Sequence, residues 1–287
     1  MQSINFSGLW YLNDQFAERM QSIIVPRLSA GYDAIPNYLI NPHPSAMKGD
    51  NDSPRPRAGT LDYYQYFADA YRVGSVCVVP MIGAMSRYGQ CNWGTEDLAG
   101  ILKAADKLES VSAHLLKSDG PGGTVDGTGP LADVIAGLTK PVVAWTPYSA
   151  SAHYYVISQA DEIWMEDQTV SEVGSIGVLM VYVDQSAALA KAGYSPTIFR
   201  ADGSTDKALV NGIEPLSDGT KAEIVSQLNA ARRRFVGAVR RGRGQKLSSD
   251  EVFTGKMYGP KEAIRTGLAD RTGTLEQAIR RAAQLGK

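Results

Sequence analysis

Residues 112–123 read Ser-Ala-His-Leu-Leu-Lys-Ser-Asp-Gly-Pro-Gly-Gly, a short apolar run that ends in a glycine turn. The run is too short for a helix and is bounded by turn residues, which predicts a buried β-strand over 112–116. The same texture repeats outward. Upstream, Val76-Cys77-Val78-Val79-Pro80 is a second buried-strand run, and Thr95 is expected to cap an amphipathic helix through Leu98, Ile101-Leu102 and Leu108. Downstream, a helix through Leu131, Val134-Ile135 and Leu138 leads to a third strand at Pro141-Val142-Val143-Ala144-Trp145. A break at Thr146-Pro147, a helix from about Ser151 and a strand at Glu162-Ile163-Trp164-Met165 follow. A further strand is expected over 176–183, then helices over 221–241, 262–268 and 275–285. Strands alternating with helices imply βαβ units and a mostly parallel sheet covered on both faces, an α/β fold.

Composition bounds the class. The 287 residues include 29 Lys+Arg against 30 Asp+Glu, with 44% hydrophobic and 21% charged residues, which excludes disordered, collagen-like and coiled-coil chains. The formal net charge of −1 argues against a chain whose main partner is nucleic acid or an anionic membrane. Cys77 and Cys91 make neither a disulfide framework nor a zinc site. His43, His114 and His153 are too far apart for a local ligand set, so no metal or cofactor is expected. Asn13-Asp14 and Glu18-Arg19 interrupt any secretory signal, and no apolar run reaches the roughly 18 residues that span a bilayer. The expectation is a cytoplasmic chain without a membrane anchor.

Residues 1–72 differ in texture from 73–287, and the two are expected to be an N-terminal extension and a main domain. Helical spacing runs from Leu9-Trp10-Tyr11-Leu12 and Phe16 to Met20 and Ile23-Ile24. Residues 48–59 read as a linker, and 60–71 as a helix carrying Tyr63-Tyr64, Tyr66-Phe67 and Tyr71. These aromatic residues suit an interface between subunits.

Four features could carry chemistry. Gly122 and Gly123, leaving a buried strand, can bring backbone N–H groups close to a negative oxygen; a tight strand-to-helix turn explains them equally. Ser149 and Ser151, in Tyr148-Ser149-Ala150-Ser151-Ala152-His153-Tyr154-Tyr155, lie where a helix begins; either can bind an anion there or simply cap the helix. His153 is two residues from Ser151 and does not face it on a helix, so it reads as a wall residue. Gly174-Ser175-Ile176-Gly177-Val178 suggests close approach by another backbone, such as an extended substrate, or else a bulge or crowded packing. Lys207, followed by Ala208-Leu209-Val210, could sit in an apolar pocket and act as a base, or be an ordinary surface lysine.

In this order the four features resemble the signal peptide peptidase A (protease IV) family of Ser–Lys proteases, whose fold is the Clp protease/crotonase-like one with repeated ββα units. The resemblance runs from about Val73 to Leu285 and takes in Asp119 to Gly123, Ala150 to Tyr155, Ala160-Asp161, Gly174 to Val178 and the lysine loop. It closes on Phe253-Thr254-Gly255, Ala263 and Gly267-Leu268-Ala269-Asp270. It implies that Ser151 is the nucleophile, Lys207 the base, and Ser175 a group orienting the lysine amine. Gly122 or Gly123 would form the oxyanion hole with the amide of Ala152. Thr124, His153, Ile176 and Gly177 would line the substrate groove. The chain departs from the family pattern twice: Gly120 stands for a serine of the glycine turn, and Ala152-His153 for two glycines after the nucleophile.

The 1–72 extension looks like the phage head-maturation (protein C-type) branch, which implies a scaffold or portal polypeptide as substrate inside a prohead. The alternatives are a housekeeping signal peptide or oligopeptide peptidase, a crotonase-like CoA enzyme and a silent assembly protein. The resemblance also implies a ring-like homo-oligomer. Arg232-Arg233-Arg234 and Arg240-Arg241-Gly242-Arg243 lie on a helix with an apolar face, so they are expected to be solvated or to meet another subunit, not nucleic acid.

Overall fold

The computed structural model describes residues 57–89 and 92–287, and the backbone of 10–12. The readings made for 13–56, including most of the first helical pattern and the linker at 48–56, lie outside these residues, as does Cys91.

The expected parallel sheet is the frame of the molecule. Strands β3 (Val76–Ile82), β4 (Ala113–Gly120), β6 (Val142–Ala150), β7 (Glu162–Met165) and β10 (Arg271–Thr272) run parallel, in the spatial order β10-β7-β6-β4-β3. The two-residue β2 (Arg72–Val73) adds an antiparallel edge beside β3. Each long strand sorts alternate side chains to opposite faces. Cys77, Val79, Leu116, Val142 and Ala144 meet one core, while Val76, Leu115, Val143 and Trp145 meet the other. Both faces are covered, which is why these strands read as unbroken apolar runs.

The larger core lies beneath α1 (Leu61–Ala70), α2 (Thr95–Lys107), α3 (Thr128–Ala136), α4 (Ala152–Ile157) and α6 (Asp218–Arg243), and the smaller beneath α8 (Leu275–Leu285). Helix α1 precedes the boundary expected at 72/73, yet Tyr63 and Phe67 pack into the main core against Trp93. Those two rings therefore stabilise the fold instead of supplying an interface; Tyr66 stays exposed.

Several local expectations need correction. Residues 10–12 form a strand, β1 (Trp10–Leu12), not the start of a helix, because their backbone pairs antiparallel with β5 (Gly122–Thr124). Gly94, not Thr95, caps α2, and Thr95 is buried in its first turn. Strand β6 does not break at Thr146-Pro147. It changes partner there, from β7 over Val143–Thr146 to β8 (Glu172–Gly174) over Tyr148–Ala150, so the missing N–H of Pro147 falls at the handover. The strand expected over 176–183 is absent apart from a single bridge position at Leu179: β8 stops at Gly174, and Val181 and Val183 are exposed with no strand beside them. Arg232, Arg233, Arg234, Arg240 and Arg241 of α6 are exposed, as expected of a solvated face, but two of the α6 arginines are anchored to backbone carbonyls. Arg243 is fully buried and bonds Asp270 (2.9 Å) and the Gly267 carbonyl (2.9 Å), and Arg232 bonds the Phe253 carbonyl.

Candidate active site

The C-terminal ends of β4 and β6 lie side by side, with Asp119 opposite Tyr148 and Gly120 opposite Ser149. From this edge β4 turns at Pro121 into β5, and β6 runs into Ser151 and α4. The sequence therefore delivers the glycine turn and the serine to one place, at the sheet edge where α/β proteins bind ligands.

Strand β5 has two occupied edges. On one, the Met85 amide donates to the Gly122 carbonyl (2.8 Å) and the Thr124 amide donates to the Met85 carbonyl (3.0 Å). A Cβ on Gly123 would lie 2.0 Å from the Met85 oxygen, so only glycine fits this approach. Strand alternation turns the Gly123 N–H and C=O to the other edge, where β1 lies with Tyr11 opposite Gly123. Thr124 is committed to the turn into α3: its hydroxyl donates to the Asp126 carbonyl and its carbonyl accepts from Thr128.

Ser151 is held in an unusual backbone conformation, with φ +55° and ψ −115°, at the junction of β6 and α4. Its amide donates to the Gly174 carbonyl (2.8 Å). Its hydroxyl caps nothing: it is buried and has no partner among the described residues. The helix-capping reading of Ser151 therefore fails. Ser149 is different, since its hydroxyl lies 3.1 Å from that of Ser118, which in turn lies 2.8 Å from His153 Nδ1. Three non-glycine residues among those described have positive φ: Ser151, Ser175 and Ala208, the last adjoining Lys207. Such strain costs about 1–3 kcal/mol per residue and gathers where geometry serves a site. Ala152 opens α4, so its N–H is one of the first four, which find no acceptor within a helix.

Helix α4 is buried on every side. Tyr155 stacks on Phe235 of α6 with centroids 4.8 Å apart, and the Tyr154 hydroxyl donates to the Leu268 carbonyl. Gly242 of α6 brings the two backbones together, since a Cβ there would meet the Ser158 oxygen at 1.9 Å. His153 is fully buried beneath the site, not along a groove wall: Nε2 lies 2.7 Å from the Gly83 carbonyl and Nδ1 faces Ser118. Burial pushes its pKa down to about 4, against the smaller upward pull of the Gly83 bond, so the imidazole is neutral.

At the third feature, Ser175 is nearly buried and its amide donates to the Lys256 carbonyl (3.0 Å). The close approach expected at Gly174 comes from the chain itself, for a Cβ there would lie 2.5 Å from the Lys256 oxygen beside β9 (Met257–Tyr258). Ile176 is buried, whereas a Cβ on Gly177 would make only an ordinary contact with Gly255.

Lys207 stands apart from these groups. Its backbone is clamped, because Arg200, paired with Glu214 at 2.6 Å, donates to the carbonyls of Lys207 (2.7 Å) and Ala208 (3.1 Å). Its side chain is exposed, and no hydrogen bond joins its amine to Ser151 or Ser175. The apolar pocket expected around it is not formed among the described residues, where Leu209 and Val210 are only half-buried. Sequence reasoning missed Gly83, Met85 and Ser118. Only Ser118 left a trace, as a polar residue at the end of an apolar run; the other two matter through partners distant in sequence.

Among the described residues no group of His, Cys, Asp and Glu could hold a metal ion, and no helix is long and apolar enough to cross a membrane.

Known proteins place this geometry in context. Protease 4 of Haemophilus influenzae is 27% identical over 201 residues, covering 68% of this chain and 32% of that protein. Capsid assembly protease C of Escherichia phage lambda is 29% identical over 243 residues, covering 82% of this chain and 52% of its own length. The chain thus spans well under two thirds of these relatives. A solved 1510-N membrane-bound stomatin-specific protease in complex with a substrate peptide matches 73% of this chain and 80% of its own at 13% identity, with a TM-score of 0.38. The sequence pattern of peptidase family S49 matches residues 137–287, which take in Ser151, Ser175, Lys207 and helices α4, α6 and α8. The chain belongs to peptidase family S49.

Proposed function

We propose that this chain is a serine endopeptidase that cleaves extended polypeptide with a Ser151–Lys207 pair. The observation that carries the reading is Ser151 itself: a buried, unpartnered hydroxyl on a strained backbone, at the start of a helix and beside a glycine strand. In the proposed reaction Ser151 Oγ attacks the scissile carbonyl carbon and passes its proton to the neutral Lys207 amine. The developing oxyanion accepts from the Gly123 and Ala152 amides. The lysine returns the proton to the leaving amine, and a water then hydrolyses the acyl-serine ester by the same route. Ser175 orients the lysine amine, and Thr124, Ile176 and Gly177 border the substrate.

The extended form of the substrate is supported by β1, since the β5 edge carrying Gly123 already accepts an antiparallel strand. A substrate would replace Trp10–Leu12 on that edge. Lys207 needs cover that the described residues do not supply. The exposed Val181, Val183, Tyr194 and Phe199 of the same arm support a ring-like homo-oligomer in which a neighbour supplies it.

The favoured role is the phage head-maturation type, acting on a capsid-assembly polypeptide. The alignment with capsid assembly protease C spans 82% of this chain against 68% for Protease 4. The test is labelling by a serine-reactive fluorophosphonate. Modification at Ser151, lost in Ser151→Ala, supports the peptidase; modification elsewhere, or turnover retained in Ser151→Ala, overturns it. Cleavage of portal or scaffold polypeptide, and not of signal peptides, then separates the phage role from the housekeeping one.

A further inference from the structure

His153 lies in the helix that begins just after Ser151, yet it bonds to neither the serine nor solvent. The Gly83 carbonyl can only accept, so Nε2 carries the proton and donates to it at 2.7 Å. Nδ1 must then accept, and the Ser118 hydroxyl donates to it at 2.8 Å. That leaves the Ser118 oxygen to accept from Ser149 at 3.1 Å. Every polar atom of the imidazole is used, and the direction of each bond in the chain is fixed.

The Gly83 end of this chain leads to the glycine strand. The Gly83 amide donates to the Asp119 carbonyl (2.9 Å), and Asn92 Nδ2 donates to the carbonyls on either side, Ile82 (2.7 Å) and Ala84 (2.9 Å). Two residues on, Met85 makes both backbone bonds on one edge of β5. One buried ring therefore ties the element bearing Ser151 and Ala152 to the element bearing Gly122 and Gly123. It does so across a further close contact. A Cβ on Gly120 would lie 2.3 Å from His153 Nε2 and 2.5 Å from the Gly83 oxygen, so the ring occupies the space a side chain at 120 would need. The two departures from the family pattern, at 120 and 153, thus meet at one point in space.

We propose that His153 is a positioning residue that sets β5 against Ser151, and that glycine at 120 and histidine at 153 are mutually required. The effect on catalysis rests on the oxyanion reading of Gly123; the effect on the placement of β5 does not.

The experiment is a double-mutant cycle of Gly120→Ser, His153→Gly and the double variant, with His153→Gln as the conservative replacement that keeps a donor and an acceptor. Three readouts are taken on the full chain: the melting midpoint, hydrogen exchange of the 122–124 amides against those of α4, and kcat and KM on a peptide per phosphonate-titrated site. Each single variant is expected to melt earlier, and the double variant to melt later than the sum of the two losses predicts. In His153→Gly the 122–124 amides should exchange faster while α4 stays protected. Its kcat per titrated site should fall about tenfold or more with little change in KM, as for a lost transition-state interaction. His153→Gln should recover most of that loss. Additive melting shifts overturn the mutual requirement. Unchanged exchange at 122–124, or an unchanged kcat per titrated site, overturns the positioning role. If the unmodified chain neither cleaves peptide nor takes up phosphonate, the peptidase reading has failed, and melting and exchange still decide this proposal.

Discussion

All six residues of α4 are buried, whereas α5 (Ser186–Lys191), also of six residues, has none buried. The first helix follows Ser151 and is enclosed by the sheet, α3 and α6. The second belongs to the arm between β8 and α6 that carries Lys207, where Val181, Val183, Tyr194 and Phe199 all stand exposed. Ser151 is thus placed by burial within one chain, since a helix apolar on all sides has few ways to pack. The proposed base is placed by backbone bonds to Arg200 and Ser204, and its side chain is exposed. The proposed dyad would be complete only when the arm is covered.

The strongest attack on this contrast is Ser151→Ala. Peptide cleavage should fall by about four to six orders of magnitude, as for nucleophile loss in serine peptidases. The fold should not suffer. The hydroxyl is buried without a partner, so removing it relieves a penalty of about 1–3 kcal/mol, and the melting midpoint should hold or rise. Turnover at the unmodified rate would remove Ser151 from the site.

Lys207→Met attacks the other half. Cleavage should drop by about three orders of magnitude or more. An exposed side chain without a bonded amine should leave stability within about 0.5 kcal/mol in thermal melting. A clear loss of stability would mean that Lys207 is a structural cation.

Acid sharpens the rigid half. His153 has a folded pKa of about 4 against an ordinary value of 6.5, so the unfolded chain binds more protons between them. Stability is therefore complete above about pH 6.5 and declines as pH falls towards 4, by about 3 kcal/mol from this group. Denaturant melts of His153→Gln should show a flatter profile over that interval; an equally steep one would place the acid loss in the carboxylates.

Dilution tests the arm. If a neighbouring copy covers it, amides of 177–213 should exchange about 10–100 times faster in dilute than in concentrated protein, with α4 unchanged. Equal exchange at both concentrations would mean that nothing of its own kind covers the arm.

The smallest effect concerns β1. Tyr11→Pro removes an N–H from the residue facing Gly123 and should weaken the strand's hold on that edge. KM for a peptide should fall severalfold with kcat unchanged. A KM that stays put would mean that β1 and substrate do not share the edge.

The sequence by itself determined the parallel sheet, because a strand covered on both faces must be mostly apolar, and 76–80, 112–116 (His114 apart) and 141–145 are. It also determined the glycine strand and the serine, since a glycine turn and a serine that end neighbouring parallel strands must meet at one sheet edge. The tertiary structure alone decided which serine is unpartnered. Ser149 and Ser151 differ only in what lies across from them, and Ser118 is 31 residues from Ser149. It likewise decided the place of His153, whose partners are a carbonyl 70 residues away and a hydroxyl 35 residues away. The arm at 176–183 shows the limit from the other side. Its apolar alternation reads as a strand, but a strand needs a neighbour to bond, and among the described residues that run has no ladder, with the one bridge position at Leu179.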